Sequence, residues 1–437
     1  MAIIVHLLTM GTESRLLQYA AMLHTEREMI GRAIAALVSL VVMTSGLFAV
    51  REPLSGLPNH SLPAPQTLEQ VVLAVGKGPS PVALADVNRD GYLDILVANS
   101  DDRTLSVLLG DGRRHFHPAP GPPIPTGQSP NDIAVGDLNG DGNLDLVIAN
   151  TETPFLTVLL GDGQGGFRPS PHSPFATRSF PHVHGVAVGD FTGDGKLDVV
   201  TDSWGHDQIL LLPGDGAGNL RTPGLPFKTG KRPYQRLRSA DFNRDGKLDV
   251  VTTDLDLNAV SILLGDGKGA FRNGPGSPVP AGAAPWAVAI DDINRDGNLD
   301  LVVLPYDRDV RDPKDLGVTV LLGDGAGGFR KMPGSPFPFS ECQGPDRVAT
   351  GDVNGDGLRD IVVSCAQSNT LLFFLGRPGG GLQTSGRHLP DIGWSGLAVG
   401  DLDGDGTDDV VVSNRSSGTI TVLFGRPGSP RAPIGRP

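Results

Sequence analysis

The chain has 437 residues, a formal net charge of -13, 60 glycines, 37 prolines and only two cysteines. No basic stripe offers a nucleic-acid footprint, and no Cys/His cluster offers a zinc or redox centre. The acidic residues are 42 Asp and seven Glu, and half of the Asp recur in one nine-residue pattern, so the acidity is local ligand charge, not a solvating tail.

In chain order, residues 1–50 come first. They hold an apolar run from Ala33 to Val50, preceded by Arg27 and Arg32. Its length suits a signal-peptide core or a membrane anchor. Leu47-Phe-Ala49 is an imperfect cleavage site, and Met29 is an alternative start. Both readings export the remainder, as a secreted, periplasmic or cell-surface protein, with membrane attachment in the second. Residues 51–66, rich in Pro, Ser and Asn, read as a linker. Residues 67–428 read as the folded unit, and 429–437 as a tail.

The folded unit writes the frame D-x-[N/D/T]-x-D-G-x-x-D seven times. Side-chain oxygens stand at positions 1, 3, 5 and 9: Asp86, Asn88, Asp90 and Asp94, then Asp137, Asn139, Asp141 and Asp145. The third and fourth copies supply Asp190, Thr192, Asp194 and Asp198, then Asp241, Asn243, Asp245 and Asp249. The fifth supplies Asp292, Asn294, Asp296 and Asp300, and the sixth Asp352, Asn354, Asp356 and Asp360. The seventh closes with Asp401, Asp403, Asp405 and Asp409. Glycine at position 6 lets the chain bend back through positive φ and converge those oxygens. A hard cation taking six to eight flexible oxygen ligands suits such a loop, which points to Ca²⁺. An EF-hand would need a Glu at position 12 and flanking helices; here position 12 is apolar or small, and β-branched residues flank the loop. A plain hairpin turn would need only the glycine and one Asp, so seven copies of three Asp favour metal.

Each copy predicts four short antiparallel strands: Val82–Asp86, the loop, Asp94–Ala98, Leu105–Leu109, a Gly-Asp-Gly turn and a strand from Phe116. Loop starts are separated by 51, 53, 51, 51, 60 and 49 residues, the size of a propeller blade. The last copy ends after its third strand, Thr419–Phe424, while Leu68–Val75 is a spare strand before the first. Pairing the two closes a ring and removes two sheet edges. Small residues three and one before each loop, such as Ala134 and Gly136, fit crowded strands near an axis. Arg238 and Asp291 break that rule, as a buried pair or as part of an axial site. Cys342 and Cys365 flank the sixth loop; the hairpin register leaves a disulfide and two buried thiols equally open.

This pattern resembles the FG-GAP/VCBS-type repeats of integrin α headpiece propellers and of many bacterial exported proteins. The likeness is carried by the seven loops and by turns such as Gly161-Asp-Gly-Gln-Gly-Gly-Phe167. It implies an all-β, seven-bladed propeller with one Ca²⁺ per intact loop, about seven in all. It further implies a ligating carbonyl at position 7, that is, at Tyr92, Asn143, Lys196, Lys247, Asn298, Leu358 and Thr407. Thr192 is a weaker ligand than Asn, and Asp403 a stronger one. Gly376-Arg-Pro378 and Gly425-Arg-Pro427 depart from the Gly-Asp-Gly turn, so those outer hairpins are expected to differ. The additional domains of an integrin are absent, so that name does not transfer.

Strand alternation puts the metal loops and Gly-Asp-Gly turns on one rim. The opposite rim gathers His182, His184, Trp204, His206, Tyr234, Arg236, Trp286, Tyr306, Arg308, Arg347 and Trp394, either as a ligand surface or as caps on the blades. The expected function is an exported, calcium-stabilised module that binds a protein or glycan, more a binder than an enzyme. A polysaccharide-cleaving propeller and a structural envelope protein are the alternatives. No G-x-S-x-G, H-E-x-x-H or P-loop occurs.

Overall fold

The computed structural model describes residues 69–425, apart from 180, 307–314, 340, 379–380, 390 and 394–395. The chain divides into Met1–Gln66 and Thr67–Pro437. The apolar N-terminal run, the linker, the tail, Arg308 and Trp394 lie outside the described residues.

Seven antiparallel sheets make up the described part, one per repeat. The innermost strands are Pro79–Ala85, Pro130–Gly136, Val186–Gly189, Pro233–Ala240, Pro285–Asp291, Pro345–Gly351 and Leu397–Gly400. Each packs beside the next, and the last packs beside the first, so the sheets form a closed seven-bladed propeller. The second strands, such as Asp94–Asn99 and Asp145–Asn150, are buried at every residue. Neighbouring blades cover both of their faces, which is why these strands are continuous Val/Ile/Leu runs instead of alternating ones. Leu146 and Ile148 of the second blade, for example, share a core with Leu96, Ala98, Leu105 and Val107 of the first.

The ring is fastened as the spare strand predicts. Gln70–Ala74 pairs antiparallel with Thr419–Leu423, from Gln70 opposite Leu423 to Ala74 opposite Thr419. The seventh blade is thus built from both ends of the folded unit, and Ile95 and Val97 of the first blade pack against Val411, Ile420, Val422 and Phe424 of the seventh. Crowding near the axis also accounts for the small residues there. A methyl group on Gly136 would come within 2.8 Å of Leu197 Cδ1 in the next blade.

Several details differ from the sequence reading. The outer strand of the first blade comes in two pieces, Phe116–Pro118 and Ile124–Pro125, both paired with the third strand. The sixth blade, which lacks the Gly-Asp-Gly turn, has a single long outer strand, Leu382–His388. Arg238 and Asp291 are not partners: Arg238 bonds Asp132 at 2.9 Å, and Asp291 lies 3.1 Å from Arg359 Nε.

The two cysteines are bonded, with Cα atoms 5.3 Å apart. The hairpin register pairs Pro345 with Cys365 and then shifts at a bulge, so counting outward from the loop cannot show that Cys342 swings back over Cys365. The other blades do show it. Gly76, three residues before Pro79, lies so close to Asn99 that a Cβ there would sit 2.6 Å from the amide carbon. Cys342 stands three residues before Pro345, and Cys365 occupies the place of Asn99. A side chain at both positions must touch, and with two sulfurs they bond.

Candidate functional site

The seven loops share one hydrogen-bond design. The position-1 carboxylate closes the turn: Asp137 accepts from the backbone N–H of Gly140 at 2.8 Å, Asp141 at 3.2 Å and Gly142 at 2.8 Å. Position 5 caps position 7, as when Asp141 accepts from Asn143 N–H at 2.8 Å. Position 9 is fully buried in all seven copies, and one of its oxygens accepts from the N–H of position 2. The other accepts from a glycine at the end of the third strand or just beyond it. Asp145 does so with Leu138 at 2.9 Å and Gly161 at 2.8 Å, and Asp409 with Leu402 at 2.9 Å and Gly425 at 2.8 Å. This stitch between loop and third strand escapes the sequence reading, which assigned position 9 to metal alone.

The repeated Asp therefore have a structural duty as hydrogen-bond acceptors, yet their charge is poorly compensated. Burial pushes Asp94 and Asp145 up to about 6, and the neighbouring carboxylates at positions 1 and 5 push in the same direction. Burial likewise raises Asp360 and Asp409 to about 7, helped by Asp352 and Asp356 in the first case and by Asp403 and Asp405 in the second. A buried carboxylate beside two others is the electrostatic situation that a bound cation reverses. In the seventh loop, Asp401, Asp403 and Asp405 each bring one carboxylate oxygen within 4.8 Å of the others. The donors are all hard oxygens, so they fit Ca²⁺ by type and by convergence.

Position 4 adds a feature the sequence reading missed. It is Gly in four loops and Arg in three, and Arg89, Arg244 and Arg295 all adopt positive φ near +60°. Arg89 donates to the carbonyl of Gly142 in the next loop, and Arg244 to that of Gly297. Arg89 and Arg244 thus tie adjacent Asp-rich loops together. At the ring junction Arg114 donates to Asp403 at 2.6 Å and to Glu69 at 2.7 Å, with its guanidinium 4.8 Å over the Phe424 ring. Repetition of Arg at position 4 was visible in the sequence, but its reach across the loop boundary was not.

On the opposite rim, residues from three blades form a continuous aromatic wall. His182 and His184 lie edge to face at 4.6 Å, His184 meets Tyr234 at 4.2 Å, and Tyr234 meets Trp286 at 5.0 Å. Trp286 in turn stacks on Tyr306 at 4.3 Å with 16° between ring planes. Trp204 joins through Tyr234 at 5.4 Å. His184 is fully buried, its Nδ1 3.2 Å from Asp202, and Trp286 is buried as well. His206 stands apart, exposed and 3.2 Å from Ser203 Oγ. The wall therefore caps blades at His184 and Trp286 and offers partly exposed rings at Trp204 and Tyr306.

Beside that wall the propeller axis carries buried charge. Asp132 accepts from both Arg236 and Arg238, and Arg347 donates to Asp346 at 2.6 Å and to Asn131 at 3.2 Å. Burial resists the ionisation of Asp132, but the two guanidiniums outweigh it and hold its carboxyl below the usual range. Burial, then the charge of Arg347, pulls Arg236 down to about 9. A cavity of about 320 Å³ opens above, lined by Trp286, Tyr306, Arg347, Asp346, Asn131 and Arg415 among others. A larger furrow of about 1050 Å³ runs along Pro118–Pro125 at the outer edge of the first two blades, away from both the loops and this cluster.

Closed sheets around an axis, each opened by the same oxygen-rich loop, define a repeat propeller. The FG-GAP-like repeat matches residues 86–148, 137–201, 241–303 and 352–412, and the chain belongs to that family. Cartilage acidic protein 1 of Xenopus tropicalis is 27% identical over 187 residues, 39% of this chain and 28% of that protein. The human protein of the same name is 27% identical over 183 residues, 27% of its length. The chain thus matches little more than a quarter of these relatives. Among solved structures, the periplasmic gluconolactonase PpgL of Pseudomonas aeruginosa superposes with a TM-score of 0.52 at 20% identity, over 71% of this chain and 85% of that one. At that identity the likeness is one of fold.

Proposed function

We propose that the chain is an exported, calcium-stabilised propeller that binds a protein or glycan on the rim opposite the metal loops. The observation that carries the calcium reading is the buried position-9 carboxylate. In every blade it is stitched into the fold by backbone N–H groups from the loop and the third strand, and in six of the seven nearby Asp side chains oppose its charge. Bound Ca²⁺ supplies the missing positive charge and links the first two strands of a blade. The loop residues hold it through positions 1, 3, 5 and 9 and the position-7 carbonyl, and its binding free energy adds to folding stability.

The opposite rim supports the binding reading because it concentrates aromatic and Arg side chains in a protein poor in aromatics. An enzyme reading has less support. The most plausible acid/base pair by residue type, His184 with Asp202, is buried, so no substrate atom reaches it among the described residues. Export rests on the apolar N-terminal run and on membership of a repeat family common in extracellular proteins. The test is an array of immobilised glycans and surface proteins probed with the calcium-loaded chain. Specific retention that Arg347→Gln abolishes supports the reading. Retention that is equal with and without an intact rim contradicts it.

A further inference from the structure

We infer that the cavity at the mouth of the axis binds a carboxylate-bearing sugar, a hexuronate in chemical class. This rests on the opposite rim being the binding face and names what that face takes.

The first observation is charge. Three guanidiniums, those of Arg236, Arg238 and Arg347, meet two carboxylates, Asp132 and Asp346, along one short stretch of the axis. The cluster therefore carries a surplus positive charge next to the cavity, and Arg347 is a wall of both the cavity and the smaller axial space of about 70 Å³ beneath it.

The second observation is an excess of donors. Arg347 is only 7% exposed, its two terminal nitrogens serve Asp346 and Asn131, and its Nε–H is buried with no acceptor. Trp286, also 7% exposed, has a buried indole N–H with no acceptor. Both side chains line the same cavity. Buried donors without partners are costly, and these two belong to side chains that line one cavity, where an acceptor from outside the chain would relieve both. An anionic acceptor satisfies the donors and the surplus charge together.

The third observation is shape and lining. About 320 Å³ accommodates one six-membered ring with its substituents. Ser100, Ser129 and Thr151 line it alongside Tyr306, which gives hydroxyl partners and an aromatic surface for the C–H face of a sugar. A bare inorganic anion would use the charge and leave the hydroxyl-rich wall unmatched. A neutral hexose would use the wall and leave the buried donors and the charge unmatched.

The test is isothermal titration of the full chain, calcium present, with D-glucuronate, D-galacturonate, the two matching neutral hexoses and acetate. At least one uronate is expected to bind about tenfold or more tightly than its neutral hexose and than acetate. Arg347→Gln is expected to abolish that preference. Trp286→Phe, which removes the indole N–H and keeps an aromatic ring, is expected to weaken uronate binding several-fold while the variant still folds cooperatively and takes up Ca²⁺, and it decides the matter if the Arg347 variant fails to fold. Equal binding of uronate and hexose, equal binding of uronate and acetate, or full uronate binding by Trp286→Phe would overturn the inference. Calcium uptake measured on the same sample separates the two readings. Uptake without uronate binding overturns the ligand class alone, and absence of uptake overturns the calcium reading.

Discussion

The carboxylate of Asp254 accepts a 2.6 Å hydrogen bond from the hydroxyl of Ser261, deep in the fourth blade. The same place at the end of the second strand holds Asn99, Asn150 and Asn414 in three other blades, each bonded to Ser106, Thr157 or Thr421 seven residues on. The fourth blade alone places an acid there, and burial pushes it up to about 7.

The folded state therefore keeps the Asp254 proton up to about pH 7, whereas the unfolded chain releases it near its ordinary value of 3.8. Because the folded state binds more protons between those values, this residue's contribution is fully present below about pH 4 and is lost as pH rises through 7. Asp254→Asn should stabilise the protein at pH 8 by about 1–3 kcal/mol and have little effect at pH 4. Denaturant melts at the two pH values check this. Equal effects at both would mean that the carboxyl is not protonated in the folded state.

The disulfide in the sixth blade makes a parallel prediction. Cys342 and Cys365 close a loop of 23 residues, so Cys342→Ser/Cys365→Ser should cost about 3 kcal/mol. Cys342→Gly/Cys365→Asn restores the pairing that Gly76 and Asn99 make, and should recover part of that loss. Urea midpoints of the three proteins decide it; a Gly/Asn variant no better than the Ser/Ser one would show that the repeat's local packing does not transfer.

Arg114 locks the ring junction through Glu69 and Asp403. Arg114→Ala should cost about 1–2 kcal/mol, given a partly exposed guanidinium in charge-assisted bonds. It should also speed amide hydrogen exchange in Gln70–Ala74 more than in the first blade's inner strand. Unchanged exchange in Gln70–Ala74 would place closure on strand pairing alone.

Asp132 holds two arginines on the axis. Asp132→Ala leaves Arg236 buried without its carboxylate and should destabilise the protein by about 3–5 kcal/mol. Pairing the change with Arg236→Met should return much of that loss, which a double-mutant cycle measures.

Much of this architecture is legible in the sequence. Seven spaced copies of the loop gave the blade count, and the orphan strand at Leu68–Val75 gave the closure, because an unpaired edge must be covered. What stayed hidden depends on contacts between repeats. The reach of Arg89 to Gly142, the junction made by Arg114 and the meeting of Asp132 with Arg236 join residues of different blades, and no local spacing encodes them. The disulfide lay between these cases. Its pairing breaks the hairpin count at a bulge, but alignment of Cys342 with Gly76 and of Cys365 with Asn99 would have exposed it. Arg238 and Asp291 misled because both stand out from the same small-residue rule, which says nothing about whether they face each other.

The central claim is that the clustered aspartates are cation cages that stabilise the ring. Calorimetric titration of the purified, chelator-stripped chain with Ca²⁺ tests it most directly, followed by thermal melts of both forms. The account predicts saturable uptake of several Ca²⁺ per chain, with a marked rise in melting temperature that EGTA reverses. A folded protein that takes up no Ca²⁺ and melts at the same temperature in EGTA would contradict it.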